Sequence, residues 1–134
     1  MNLKKICICI IFIFLTFTIL HSFKNLNIIN QFISKYGWII DKKSVIIEET
    51  IIPKEFNGAL LSYESMLKKA GFDINYIKGK TVKKYSYKLK NHIDNDAFIN
   101  VFVFNGKIVF ADIAISRIDG YMHNINERKY QNAS

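Results

Sequence analysis

Residues 97–115 read AFINVFVFNGKIVFADIAI, and they decide the fold. Two apolar, alternating runs flank Asn105-Gly106, and both of those turn residues tolerate positive φ, so the stretch predicts a tight antiparallel hairpin with strands over Ala97–Phe104 and Lys107–Ile115. Just upstream, Thr81–Lys90 also alternates. Tyr85, Tyr87 and Leu89 point to one side, the core, while Lys84, Ser86, Lys88 and Lys90 point to the other, wet side. Val45–Ile52 is rich in β-branched residues and is ended by Pro53, and Trp38–Ile40 starts a shorter strand that turns at Asp41–Ser44.

Between these strands the period changes to that of a helix. Phe56, Leu60, Tyr63 and Leu67 form one stripe over Asn57–Ala70. Asn57 is placed to cap that helix, Phe56 and Leu61 flank its start as an apolar pair, Glu64 and Lys68 sit one turn apart, and Gly71-Phe72 ends it. An earlier helix is expected over Asn25–Tyr36, from Ile28, Ile29, Phe32, Ile33 and Tyr36, with Gly37 as its left-handed end and Trp38 folding back on its last turn. The expected class is α+β: two helices on one face of an antiparallel sheet of four to five strands.

Ahead of this domain lies Ile6–Leu20, ICICIIFIFLTFTIL, with Lys4 and Lys5 before it. Extended to Phe23, at about 1.5 Å per residue, the run is a marginal span for a hydrocarbon core about 30 Å thick. Its exit, Thr18-Ile19-Leu20-His21-Ser22-Phe23, puts Leu20 at the third-last position of the best cleavage candidate, where signal peptidase wants a small residue. An uncleaved anchor over residues 1–24 is therefore favoured over a cleaved signal that would secrete the domain, with residues 25–134 carried outside the cell as one α+β domain. Cys7 and Cys9 both fall inside the apolar run, so the exported part has no thiol and no disulfide framework.

The formal net charge is +8. From Gln31 onward 16 Lys and Arg face 11 Asp and Glu, leaving +5, which favours anionic surfaces but falls short of the dense basic arms of nucleic-acid binders. Nucleic acid is not an expected partner.

The segments KYGWII, IPKEF, LKKAGFDINYIKGKTVKKYSYKL and FNGKIVFADIAISRIDGYMH give Phe32–His123 a family likeness. The chain resembles the small bacterial family catalogued as domain of unknown function 4830. That resemblance implies an N-terminal membrane segment on a small domain and carries over no catalytic residues. Asp119-Gly120-Tyr121-Met122-His123 is its most distinctive piece, and Asn124 stands where the family pattern tends toward a second Gly.

Three groups of residues are candidates for binding. His92, Asp94 and Asp96 alternate, so an extended backbone would project all three to one side, as a hard-metal or acid-base site needs, although the Gly and distal Glu of a calcium loop are missing. Asp119, Tyr121 and His123 lie in the tail, where His123 has Asp119 and Asp112 within reach if the tail folds across the hairpin. Lys84, Lys88 and Lys90 form a basic strip on the wet side of their strand. No reactive cysteine, nucleophile elbow, phosphate loop or zinc spacing is present, so no catalytic residue, metal or cofactor is assigned.

The expected function is a non-enzymatic, membrane-anchored extracytoplasmic binding module. Its partners are the membrane through Ile6–Phe23 and then an anionic cell-surface polymer, lipid headgroups or another envelope protein. The competing readings are a metal-binding or hydrolytic site on His92, Asp94, Asp96 or His123, and an inhibitor-like domain that regulates a peptidase.

Overall fold

A computed structural model describes residues 2–130. Met1 and residues 131–134, which fall in the expected anchor and domain, lie outside them. The chain divides into two compact units, the first ending at Phe32 and the second starting at Ile33.

The first unit is helical. Helix α1 runs Leu3–Lys35 without the expected break near Asn25, so the apolar run and the amphipathic stretch after it form one helix that ends in the second unit. It is long and apolar enough to cross a membrane. Thr16 and Thr18 each turn their hydroxyl back onto a carbonyl of the preceding turn, Ile13 O at 2.9 Å and Leu15 O at 2.8 Å. Both hydroxyl protons are thereby satisfied within the helix. Cys7 and Cys9 are free and exposed on this helix.

The second unit is an α+β domain. Strands β1 (Ile46–Ile51), β2 (Thr81–Lys88), β3 (Ala97–Phe104), β4 (Lys107–Ile115) and β5 (Met122–His123) pair antiparallel in sequence order. Helix α2 (Ala59–Lys69) lies between β1 and β2 in the chain. The Asn-Gly hairpin forms as expected, with Asn105 at φ 49° and Gly106 at φ 72°. The expected strand at Trp38–Ile40 reduces to a single bridge, Ile40 to Leu89.

Helix α2 ends as the Gly-aromatic signature predicts. Gly71 sits at φ 93°, its N–H donates to Lys68 O and the Phe72 N–H donates to Leu67 O, which together satisfy the last carbonyls. Its start is different. Gly58, not Asn57, occupies the cap and no side chain caps the helix, while Leu61 is exposed and Phe56 packs at the margin of the core. The φ of 54° at Gly58 explains the choice, because a residue with a Cβ avoids that conformation.

The register sorts the side chains onto two faces. One carries Ile46, Ser86, Asn100 and Asp112 in a row across β1 to β4, flanked by Phe102 opposite Phe110. Helix α2 covers the Phe102 end of this face: Leu67, Ile74, Ile77, Val82, Phe102 and Phe110 form a cluster with Tyr63, Met66 and Phe72 at its margin. Phe102 and Phe110 stack at 4.0 Å between centroids, and Tyr63 meets Phe110 edge-on. The other face buries Tyr85, Tyr87, Ile99, Val101, Ala111 and Ile113. Over β5 the chain returns toward the start of the unit, where Trp38 Nε1 donates to Ile125 O at 2.9 Å and Tyr130 O–H donates to Tyr36 O.

Candidate functional site

The fold assembles two buried polar clusters, one per face. The tail brings His123 against His92, although 31 residues separate them, because β5 pairs His123 with Ile113 and Tyr130 bridges back to His92. The two Nε2 atoms lie 2.9 Å apart, and His92 and His123 are only 1% and 2% exposed. Trp38 stacks on His92 at 5.5 Å.

The protons of this pair follow from its neighbours. The Asp94 N–H donates to His92 Nδ1 at 2.9 Å, so that nitrogen accepts and carries no hydrogen. A neutral His92 then holds its hydrogen on Nε2 and donates it to His123 Nε2. His123 in turn holds its hydrogen on Nδ1, 2.9 Å from Asn124 O. One directed chain runs from the Asp94 amide to the Asn124 carbonyl, and it closes only while both rings are neutral. Burial lowers the pKa of each histidine in the same sense, with Lys129 adding to the effect at both and the His123 ring adding to it at His92.

Around the pair is a shell of exposed and half-buried groups. Asp94 accepts from Arg117 at 2.8 Å and from Tyr121 O–H at 2.7 Å, and these two donors hold its carboxyl below the ordinary range. Arg117 also reaches Asp119 at 3.1 Å, and Lys129 Nζ lies 4.5 Å from the centre of the Tyr121 ring.

Two expectations are corrected here. His92, Asp94 and Asp96 do not form one open site: the segment bends, His92 is buried with its Nδ1 3.9 Å from Asp94 Oδ2, Asp94 is held by Arg117, and Asp96 is exposed. His123 does not pair with Asp112 or Asp119. Asp112 points to the opposite face of β4, and Asp119 is taken by Arg117. Among the described residues no group of three or more His, Cys, Asp and Glu is placed to hold a metal ion. With Nδ1 accepting and Nε2 donating, neither nitrogen of His92 has a lone pair to offer one.

The second cluster is one that sequence reasoning missed. Asp112 is 1% exposed on the α2 side. Its Oδ2 accepts from Tyr63 O–H at 2.5 Å and its Oδ1 from Asn100 Nδ2 at 2.8 Å, while Asn100 Oδ1 accepts from Ser86 O–H at 2.7 Å. Every donor in this line points toward the carboxylate. Burial nevertheless pushes the Asp112 carboxyl up, against the lowering by Tyr63 and Asn100, and burial with the Asp112 charge pushes the Tyr63 phenol far above its ordinary value.

Beyond this line the sheet face is uncovered. Ile46, Glu48, Lys84, Ser86, Phe98, Asn100, Ala114 and Ser116 line a shallow groove of about 320 Å³. The expected wet side of β2 is therefore only partly wet, since Ser86 is buried in the polar line while Lys88 and Lys90 are exposed. Lys84 is not free, because Glu48 lies 3.0 Å away, and on the other face Lys83 is the register partner of Glu49. Of the strip Lys84, Lys88 and Lys90, Lys84 is thus answered by Glu48 of β1. Glu64 behaves likewise, with Lys78 at 2.8 Å a closer partner than the expected Lys68 at 3.8 Å.

The chain matches no family model, no curated protein and no solved structure.

Proposed function

We propose that this chain is a membrane-tethered module whose extracytoplasmic domain binds another envelope protein and performs no chemistry of its own. The observation that carries the reading is the uncovered half of the α2 face, where the groove of about 320 Å³ mixes Ile46, Phe98 and Ala114 with Ser86, Asn100 and the Lys84–Glu48 pair. Such a mixed surface suits a protein partner better than a phosphate-rich polymer, because its cation is already neutralised. The apolar run of α1 supports tethering. The closed proton chain through His92 and His123 supports the non-enzymatic side, since neither ring keeps a free nitrogen for a substrate.

The test has two arms. A reporter fused after Ser134 is expected to be active only outside the cell, and activity confined to the inside overturns the tethered orientation. Photo-crosslinking residues placed at Ile46 and at Lys88 in intact cells are expected to give discrete protein adducts that the same residue at the exposed Tyr76 does not. Equal labelling at all three positions, or none at any, overturns the binding surface.

A further inference from the structure

The sheet has two edges, and they are treated differently. β5 is only Met122–His123, and the chain beyond it turns back to bridge His92, so that edge offers little backbone. β1 is six residues long, with no proline, lysine or bulge to blunt it.

Its free groups follow from the ladder. Ile52 donates its N–H to Lys80 O across the sheet at 2.9 Å, so the residues in phase with it, Ile46, Glu48 and Thr50, bond toward β2. Ile47, Glu49 and Ile51 then turn their N–H and C=O groups away from β2, and among the described residues no backbone group bonds to them. The side chains there are also open: Ile46, Ile47 and Ile51 are 53%, 52% and 68% exposed. A hydrogen-bonding edge and an isoleucine on each face of it make a template for strand addition.

The charges choose the occupant. An antiparallel second copy of β1 on this edge sets Glu49 against Glu49 of its mate in one register and Glu48 against Glu48 in the next, like charges directly opposed. A strand carrying Lys or Arg at those two places, with β-branched residues on either side, instead meets both carboxylates from the side that β2 leaves open. We propose that β1 is a strand-addition site for an extended, basic and β-branched segment of a partner protein. This rests on the reading of the domain as a binding module and names where and with what it binds.

The probe is a short peptide alternating Val and Thr with two central lysines, added to the full chain in detergent micelles and read by amide hydrogen exchange. The lysine peptide is expected to slow exchange at Ile47, Glu49 and Ile51 and to bind about tenfold more tightly than its glutamate counterpart. Glu49→Pro, which deletes an outward N–H and no ladder bond, is expected to abolish the protection while leaving exchange at β3 and β4 unchanged. Glu48→Lys with Glu49→Lys is expected to reverse the peptide preference, which a merely unfolded edge cannot do. Protection by both peptides alike, protection that grows with protein concentration without peptide, or none at millimolar peptide each overturns the proposal. If the edge fails while Ile46 and Lys88 still give adducts in cells, the module still binds, through the groove face. If both fail, the binding reading falls as well.

Discussion

On the α2 side of the sheet, Ser86, Asn100 and Tyr63 all send their hydrogens toward one carboxylate; on the other side, His92 and His123 hand a hydrogen from an amide to a carbonyl and carry no charge. The difference shows two ways of burying polar groups. A charge is tolerated when several donors converge on it, and an ionisable ring is tolerated when its neighbours permit only the neutral form. The first cluster opens onto a groove, and the second lies under Trp38.

The largest expected effect comes from removing the convergence point. Asp112→Ala leaves the Tyr63 hydroxyl and the Asn100 amide without an acceptor, and a loss of about 2–4 kcal/mol is expected in urea denaturation of the full chain in micelles. A loss under about 1 kcal/mol would mean the line is hydrated and the contrast with the histidine face is false.

The two clusters should also respond to acid in opposite senses. The folded histidines have pKa values below the ordinary 6.5, so in the window beneath 6.5 the unfolded chain binds more protons. Stability from the pair is present above 6.5 and is lost as pH falls. Asp112 has a folded pKa above its ordinary 3.8, so from 3.8 upward the folded chain holds the extra proton and stability from this group falls as pH rises. His123→Phe is expected to cost about 1–2 kcal/mol at neutral pH, where the His92 Nε2–H loses its acceptor, and less at about pH 5. Thermal unfolding across that range checks it; a gap between variant and parent that widens in acid would refute the neutral-pair assignment.

Tyr63→Phe removes one of the two donors to Asp112 and is expected to cost about 1 kcal/mol, clearly less than Asp112→Ala, by the same denaturation series. Lys84→Ala breaks a partly exposed pair with Glu48 and is expected to change stability by a few tenths of a kcal/mol, about the resolution of that measurement. A larger effect would mark the pair as a structural part of the line.

Much of this domain is legible in the linear order. Asn105-Gly106, the Gly71-Phe72 helix end and the alternation of Tyr85, Tyr87 and Leu89 each encode their local structure, because turn chemistry and side-chain period act over a few residues. The histidines were visible as candidates, but not as partners of each other. Arg117 carried no signal at all, lying between Ser116 and Ile118 in a polar tail.

The Asp112 line shows where local reading stops. Counting outward from the Asn-Gly turn pairs Phe104 with Lys107 and Val103 with Ile108, and on that register Asn100 would face Ala111. A register shift between Phe102 and Val103 leaves Val109 as the extra residue, so Phe102 pairs with Phe110 and Asn100 meets Asp112.

What the sequence by itself determined is the set of strands, the turns between them, the helix ends and the apolar run, all of which depend on neighbours in the chain. What only the tertiary structure decided is which polar residues share a face and which histidine meets which. A one-residue bulge moves every later side chain relative to its partner strand, and the tail reaches His92 across 31 residues only once the sheet is there to carry it.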